Sequence, residues 1–307
     1  MPEPLCLLTV HAHPDDESSK GAGTVARYAA AGVHTVLVCC TGGEEGEILN
    51  PAMDRPEVRD NLAEVRRQEL AAAVEVIGYD EVVELGYRDS GMADSGANAN
   101  PDCFAAADID EAVGRLVAEI RRTRPQVIIT YHEDQQGYPH PDHLRVHDIS
   151  VLAFDRAADP LAYPGTGERW QPLKLYYTQW SRQRMVAVHE KFLELGMESP
   201  FGERWFDRPD NDHMVTTRID ISSHAHVRRH ALMAHATQID PDSPFWFGLP
   251  AEVADTVHPF DEYHLARSLV DGPVPEDDLF AGVAAARAAG SGEGGTPAQG
   301  TPAANRR

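Results

Sequence analysis

The sequence predicts an α/β fold: a mostly parallel sheet with helices on both faces, followed by a smaller mixed C-terminal part. Three observations carry this expectation. Residues 5–10 (LCLLTV), 34–40 (HTVLVCC) and 127–131 (VIITY) are short, nearly continuous apolar runs, as strands buried on both faces require. Helical patterns separate these runs. Each of the first two runs ends in polar or glycine-rich residues that stop a strand. Strands alternating with helices build right-handed βαβ units and a doubly wound sheet.

Taken in order, the first run leads straight into the polar segment His11-Ala12-His13-Pro14-Asp15-Asp16-Glu17. Residues 21–31 (GAGTVARYAAA) read as a helix that stops at Gly32, and the second strand ends at Thr41-Gly42-Gly43. Residues 57–77 are rich in helix formers and stop at Gly78, a residue suited to the left-handed position that ends helices. Residues 109–122 form a further helix, closed before Pro125, and the third strand follows. In the second half, 173–180 and 214–221 read as strands, and 182–195 and 223–236 as helices. A single domain is expected over 1–282. The Ala/Gly/Pro-rich segment 283–307 has no apolar periodicity and is expected to be a disordered tail.

The 307 residues suffice for a sizeable core. The formal net charge is -22, from 27 basic and 49 acidic residues. That balance excludes a nucleic-acid binder, which needs a basic face to displace counterions, and an anionic-membrane binder. It suits a protein acting on small neutral or mixed-charge molecules. No basic n-region or cleavage-site pattern precedes the first strand, and no stretch approaches the roughly 18 apolar residues of a membrane span. Cys6, Cys39, Cys40 and Cys103 show no CxxC spacing and read as reduced thiols of a cytoplasmic protein.

Two segments carry chemistry. HAHPDDE follows the first strand, and Tyr138-Pro139-His140-Pro141-Asp142-His143 follows the 127–131 strand after a short loop. Both therefore sit at carboxyl ends of strands, where open α/β sheets gather ligands. His13, Asp16 and His143 form a two-histidine, one-carboxylate set, a common catalytic zinc arrangement that leaves a position open; iron(II) also suits it. Loop histidines and a helix-capping aspartate would be the bland alternative for either segment alone. Asp15, next to a ligand, is assigned as general base. His140 is assigned to polarise the carbonyl, stabilise the oxyanion and protonate the leaving amine. Asp142 is expected to hydrogen-bond His140 and set its tautomer, and Tyr138 to donate to the oxyanion. Lys20, four residues past the motif, is either a surface lysine or a contact to a polar part of the substrate.

The other histidines are weighed against this set. His147 would share a helix face with His143 and is an alternative ligand. His11 alternates with His13 and is expected to face away from the metal. His224, His226, His230 and His235 lie on one expected helix and read as a solvated face, with His235 the exception to watch.

The pair AHPDDE and HPDH resembles the PIG-L (LmbE-like) family of zinc-dependent amino-sugar de-N-acetylases. GGEEGEILNPAMD at 42–54, RRQEL at 66–70, RDSGM at 88–92, HATQIDP at 235–241 and DLFAG at 278–282 are similar to its mycothiol S-conjugate amidase branch. The resemblance covers about residues 5–282. It implies a Rossmann-like fold, one zinc at His13, Asp16 and His143, and the same roles for Asp15, His140, Tyr138 and Asp142. It places Arg66 and Asp89, otherwise a solvated helix residue and a turn former, at the sugar and inositol hydroxyls. It implies cleavage of the amide between glucosaminyl-inositol and an S-substituted N-acetylcysteine; the runner-up is deacetylation of N-acetylglucosaminyl-inositol. Glu45 stands where this family often has Arg, which adds negative charge near the pocket and leaves a role in natural-product biosynthesis open. A catalytically decayed sugar-binding protein is the competing class, and a nucleotide-binding protein would need the G-x-G-x-x-G that HAHPDDE replaces.

Overall fold

The structure, a computed structural model, describes residues 4–135 and 138–290. Seven strands form one sheet: β1 Cys6–His11, β2 His34–Thr41, β3 Glu81–Tyr87, β4 Val127–Thr130, β5 Lys174–Gln179, β6 Thr217–Asp220 and β7 Phe260–Ser268. Their order is β3-β2-β1-β4-β5-β7-β6. The β3-to-β5 block is parallel, whereas β7 runs antiparallel to both β5 and β6. The chain winds outward in one direction from β1 to β3 and in the other from β4, so the topological switch lies between β1 and β4.

The helices are α1 Asp16–Ser19, α2 Ala22–Ala30, α3 Pro56–Arg59, α4 Leu62–Ile77, α5 Ile109–Thr123, α6 Pro141–Arg156, α7 Arg182–Glu194, α8 Glu203–Phe206, α9 Ala225–Ala234, α10 Pro244–Phe247, α11 Ala251–Val257 and α12 Val283–Gly290. Because successive strand residues point to opposite faces, β1 divides its side chains between two cores. Leu8 and Val10 join Val36, Ile128, Leu116 and Phe154 beneath α5 and α6. Leu7 joins Leu37, Val127, Val25, Leu70 and Ala231 beneath α2, α4 and α9. A third, smaller cluster of Met185, Phe192, Phe201 and Leu249 lies among the C-terminal helices.

Several expectations differ from the structure for identifiable reasons. The expected 57–77 helix is two helices, because Asn61 leaves the helical backbone region and its side chain donates to the Glu57 carbonyl instead. The expected helix 223–236 spans 225–234 and the strand 214–221 shortens to 217–220. β3 went unread because this edge strand alternates exposed and covered residues rather than forming an apolar run. β7 was hidden by its charges. Asp261 accepts from the Thr24 N–H and hydroxyl and pairs with Arg228, while Glu262 accepts from the Ser181 N–H and Arg218, so both carboxylates are buried with partners. The tail expected from 283 begins instead with α12, and Val283 is fully buried; positions 291–307 lie outside the described residues. Among the described residues no helix is long and apolar enough to cross a membrane.

One buried polar cluster ties the antiparallel part to the segment after β7. Lys174 Nζ contacts Glu276 Oε1 at 2.5 Å, and both side chains are essentially sealed from solvent. The other carboxylate oxygen accepts from the Tyr176 hydroxyl at 2.6 Å and from the Thr217 hydroxyl at 3.1 Å.

Candidate metal and catalytic site

β1 and β4 are adjacent and in parallel register, Leu8 opposite Ile128. Their carboxyl ends therefore deliver two loops to one place, at the switch point of the sheet. The loop after β1 turns sharply at Asp15, whose φ of 112° lies in the left-handed region that non-glycine residues avoid. Arg66 holds this turn. Its guanidinium donates to the Pro14 and Gly43 carbonyls and to Asp15 Oδ2, the last at 3.0 Å. A Cβ at Gly43 or Gly46 would collide with that guanidinium, which accounts for two of the three glycines of GGEEG. Glu17 holds the turn from the other side, accepting the Asp15 N–H at 2.9 Å and pairing with buried His235 at 2.7 Å. Burial raises the Glu17 carboxyl, but His235 outweighs it and brings it down to about 2.

The second loop ends at His140, which caps α6: its Nδ1 accepts the Asp142 N–H at 3.2 Å, and Pro141 occupies the first helical position, where no N–H is needed. The neutral ring then carries its proton on Nε2. One turn into α6, His143 meets the first loop.

His13 and His143 have ring centroids 5.4 Å apart. Asp16 Oδ2 lies 3.5 Å from His13 Nδ1 and 3.3 Å from His143 Nε2. Ligands at about 2.0–2.1 Å around one tetrahedral ion sit roughly 3.3 Å from each other, so these separations fit a single zinc-sized cation. The donor set fits too. His143 is pushed down to about 4, chiefly by burial, and so offers a neutral ring. Its Nδ1 faces Gln135 Oε1 at 3.2 Å, leaving Nε2 for the site. Burial opposes the Asp16 anion, but Lys20 and the two histidines hold the carboxyl well below its usual range. Lys20 Nζ sits 2.5 Å from Asp16 Oδ1, the oxygen turned away from the histidines.

The far side of His13 explains Asp89 and Asp142. His13 Nε2 lies 3.2 Å from Asp142 Oδ2 and 3.4 Å from Asp89 Oδ1. Asp142 in turn accepts from both the Ser90 N–H and the Ser90 hydroxyl, and Asp89 accepts from the Gly91 and Glu45 N–H groups. Burial lowers the His13 ring, but its three carboxylate contacts overcome this and raise it well above its ordinary value. Three buried carboxylates around one imidazole are a surplus of negative charge that a divalent cation would neutralise. Asp89 and Asp142, with His13 and His140, also form a second group close enough to hold an ion. Their backbone and serine bonds make them instead the partners that fix His13's ring, as carboxylates behind a ligand do.

The expected roles shift accordingly. Asp142 reaches His140 through its backbone N–H, while its carboxylate serves His13; sequence spacing could not distinguish these. Arg66 and Asp89 line the cavity, but here the first braces the Asp15 turn and the second contacts His13. Glu45 lines the cavity paired with Arg88. Tyr138 is exposed, with its ring centroid 5.7 Å from that of His143. His147 Nδ1 faces the Tyr131 carbonyl at 2.9 Å, and His11 Nδ1 faces the Tyr131 hydroxyl at 2.9 Å, so neither joins the set. His235, placed among solvated histidines by the helix pattern, ends α9 and is buried. Ser90 and Gln135 carried no signal beyond their nearness to RDSG and HPDH.

Asp15, His140, Lys20 and Tyr138 open with the metal set into one cavity of about 1310 Å³. Asp15 is 27 % exposed at its side chain, and its carboxyl is raised, chiefly by burial and against the pull of Arg66. His140 is lowered, chiefly by burial and then by His13.

Residues 8–154 match the family model for PIG-L, GlcNAc-PI de-N-acetylase. The chain is 46% identical over 293 residues to a mycothiol S-conjugate amidase of Streptomyces coelicolor, covering 92% of this chain and 99% of that one. It is 42% identical over 292 residues to a 1D-myo-inositol 2-acetamido-2-deoxy-alpha-D-glucopyranoside deacetylase of Streptomyces avermitilis, covering 91% and 97%. Its fold is similar to that of an N,N'-diacetylchitobiose deacetylase from Pyrococcus horikoshii, with a TM-score of 0.58, 16% identity and coverage of 85% and 84%.

Proposed function

The chain belongs to the PIG-L family and is an amide hydrolase, and from this we propose that it hydrolyses the amide bond of mycothiol S-conjugates. The products are glucosaminyl-inositol and a mercapturic acid, an N-acetylcysteine S-conjugate. The observation that carries this reading is the cavity of about 1310 Å³ that runs on from the catalytic residues. The rival substrate carries the same glucosaminyl-inositol with only an acetyl group on the amine, so it fills less of this cavity than the longer S-conjugate does.

His13, Asp16 and His143 would hold one divalent ion, zinc in our reading, with iron(II) the alternative. Such an ion supplies Lewis-acid chemistry, acidifying water and polarising the amide carbonyl. Asp15 takes the proton of the attacking water as its oxygen bonds to the amide carbon. The Nε2–H of His140 and the Tyr138 hydroxyl donate to the oxygen on which negative charge develops. The C–N bond then breaks as the departing amine takes the proton that Asp15 received from the water, while the Nε2–H of His140 stays hydrogen-bonded to the oxygen. Lys20 presents its charge to the sugar and inositol hydroxyls, while Arg66 and Asp89 brace the Asp15 turn and the His13 ring. All four cysteines are unpaired and buried, which accords with a reducing, cytoplasmic setting.

The second reading, deacetylation of N-acetylglucosaminyl-inositol, is favoured by the 42% identity to the Streptomyces avermitilis deacetylase. A side-by-side assay of the metal-loaded protein separates the two. We expect a bimane conjugate of mycothiol to be cleaved with a kcat/KM at least tenfold above that of the acetylated precursor. The reverse order would make the deacetylase reading correct.

A further inference from the structure

The cavity lining is of two chemical kinds. Around the metal set the cavity is lined by charged and amide groups such as Asp15, Arg66, Asp89 and Gln238. Trp180, Trp205, Phe245, Trp246 and Met185 line it as well, and the four aromatic residues adjoin one another. The chain has four tryptophans, and three of them are on this wall. That concentration is not what an average surface provides, since large aromatic side chains are normally spent on the core.

The wall is rigid. Trp180 and Phe245 stack with centroids 6.0 Å apart and planes 11° from parallel. Trp246 meets Phe245 edge-on at 4.7 Å and Trp180 edge-on at 6.0 Å. Behind them lies the third hydrophobic cluster, with Phe192, Phe201 and Leu249 buried. Arginines clamp two of the indoles: the Arg208 guanidinium lies 4.1 Å from the Trp205 ring centroid and that of Arg184 lies 4.6 Å from Trp180. A preformed wall of this kind loses little freedom on binding. Its elements, α7, α8 and α10 with the end of β5, all fall outside the matched segment 8–154.

We infer that this wall is a subsite for a planar aromatic group on the acyl side of the substrate, so that the chain selects conjugates whose sulfur carries an aromatic substituent. The inference rests on the amidase reading for which side of the amide reaches the wall. Thr178, Arg182, Arg208 and Asn211 also line the cavity, and the ring faces beside them suit a planar apolar group better than a polyol. The sugar and inositol belong among the charged groups around the metal set, where donors and acceptors converge.

Binding of the acyl-side product tests this without turnover. The full-length, metal-loaded protein is titrated calorimetrically with N-acetyl-S-benzylcysteine and with N-acetyl-S-methylcysteine. The benzyl compound should bind roughly tenfold tighter, as burial of an aromatic ring in a preformed apolar site implies. In Trp246→Ala and in Trp180→Ala the advantage should fall to within about twofold, whereas Trp246→Phe, which keeps a ring, should retain most of it. Equal affinities in the wild type, no measurable binding of either compound, or a preference untouched in both alanine variants would overturn the inference. A clear benzyl preference in a protein that cleaves no conjugate would leave the subsite standing and remove the amidase reading.

Discussion

Asp15→Asn is expected to lower kcat by about 10²- to 10⁴-fold while leaving bound metal at the wild-type level, the range typical for loss of a positioned general base. The substitution isolates proton transfer. Asparagine has the shape of aspartate, its amide oxygen can still accept from Arg66, and it tolerates left-handed backbone better than most residues, so the φ of 112° adds little new strain. Neither His13 nor Asp16 depends on the Asp15 carboxylate: Asp16 is held by Lys20 and the histidines, and His13 by Asp142 and Asp89. Steady-state kinetics beside metal analysis of the same preparation gives the answer. Wild-type turnover with metal still bound would remove Asp15 from the mechanism.

The second large effect is on stability, far from the site. Glu276→Ala should destabilise the protein by about 3–5 kcal/mol, because it leaves the Lys174 ammonium buried without its counter-charge. It also strips the acceptor from the Tyr176 and Thr217 hydroxyls. For a chain of this size the melting temperature should fall on the order of 10 °C. Replacing both partners at once, Lys174→Met with Glu276→Leu, should recover the share of the loss that comes from the unpaired ammonium, since apolar residues of similar volume can substitute for a buried ion pair, but not the share from the Tyr176 and Thr217 hydroxyls. An unchanged melting temperature in Glu276→Ala would show that this cluster contributes nothing net.

Legibility in the sequence followed the physics of each element. β1, β2 and β4 were readable because strands covered on both faces must be apolar throughout. β3 and β7 were not, the first because it lies at the sheet edge and the second because its buried Asp261 and Glu262 are satisfied by partners distant in sequence. The antiparallel end of the sheet was therefore expected only as a mixed region. At the site, HAHPDDE and HPDH announced themselves because ligand types recur at equivalent strand ends. What each carboxylate does was less legible, because it depends on the third dimension. Asp142 and Asp89 converge on His13 only once β1, the RDSG turn and α6 are assembled, and the Glu17–His235 pair joins residues 218 positions apart. The aromatic wall was invisible for the same reason: Trp180, Trp205 and Trp246 show no common spacing.

The account stands on a single cation shared by the two loops, and metal stoichiometry tests that most directly. The apo protein titrated with zinc should take up one tightly bound equivalent, and His13→Ala and His143→Ala should each weaken that binding by at least about 100-fold, since each removes one of three protein ligands. Undiminished binding in either variant would contradict the shared site.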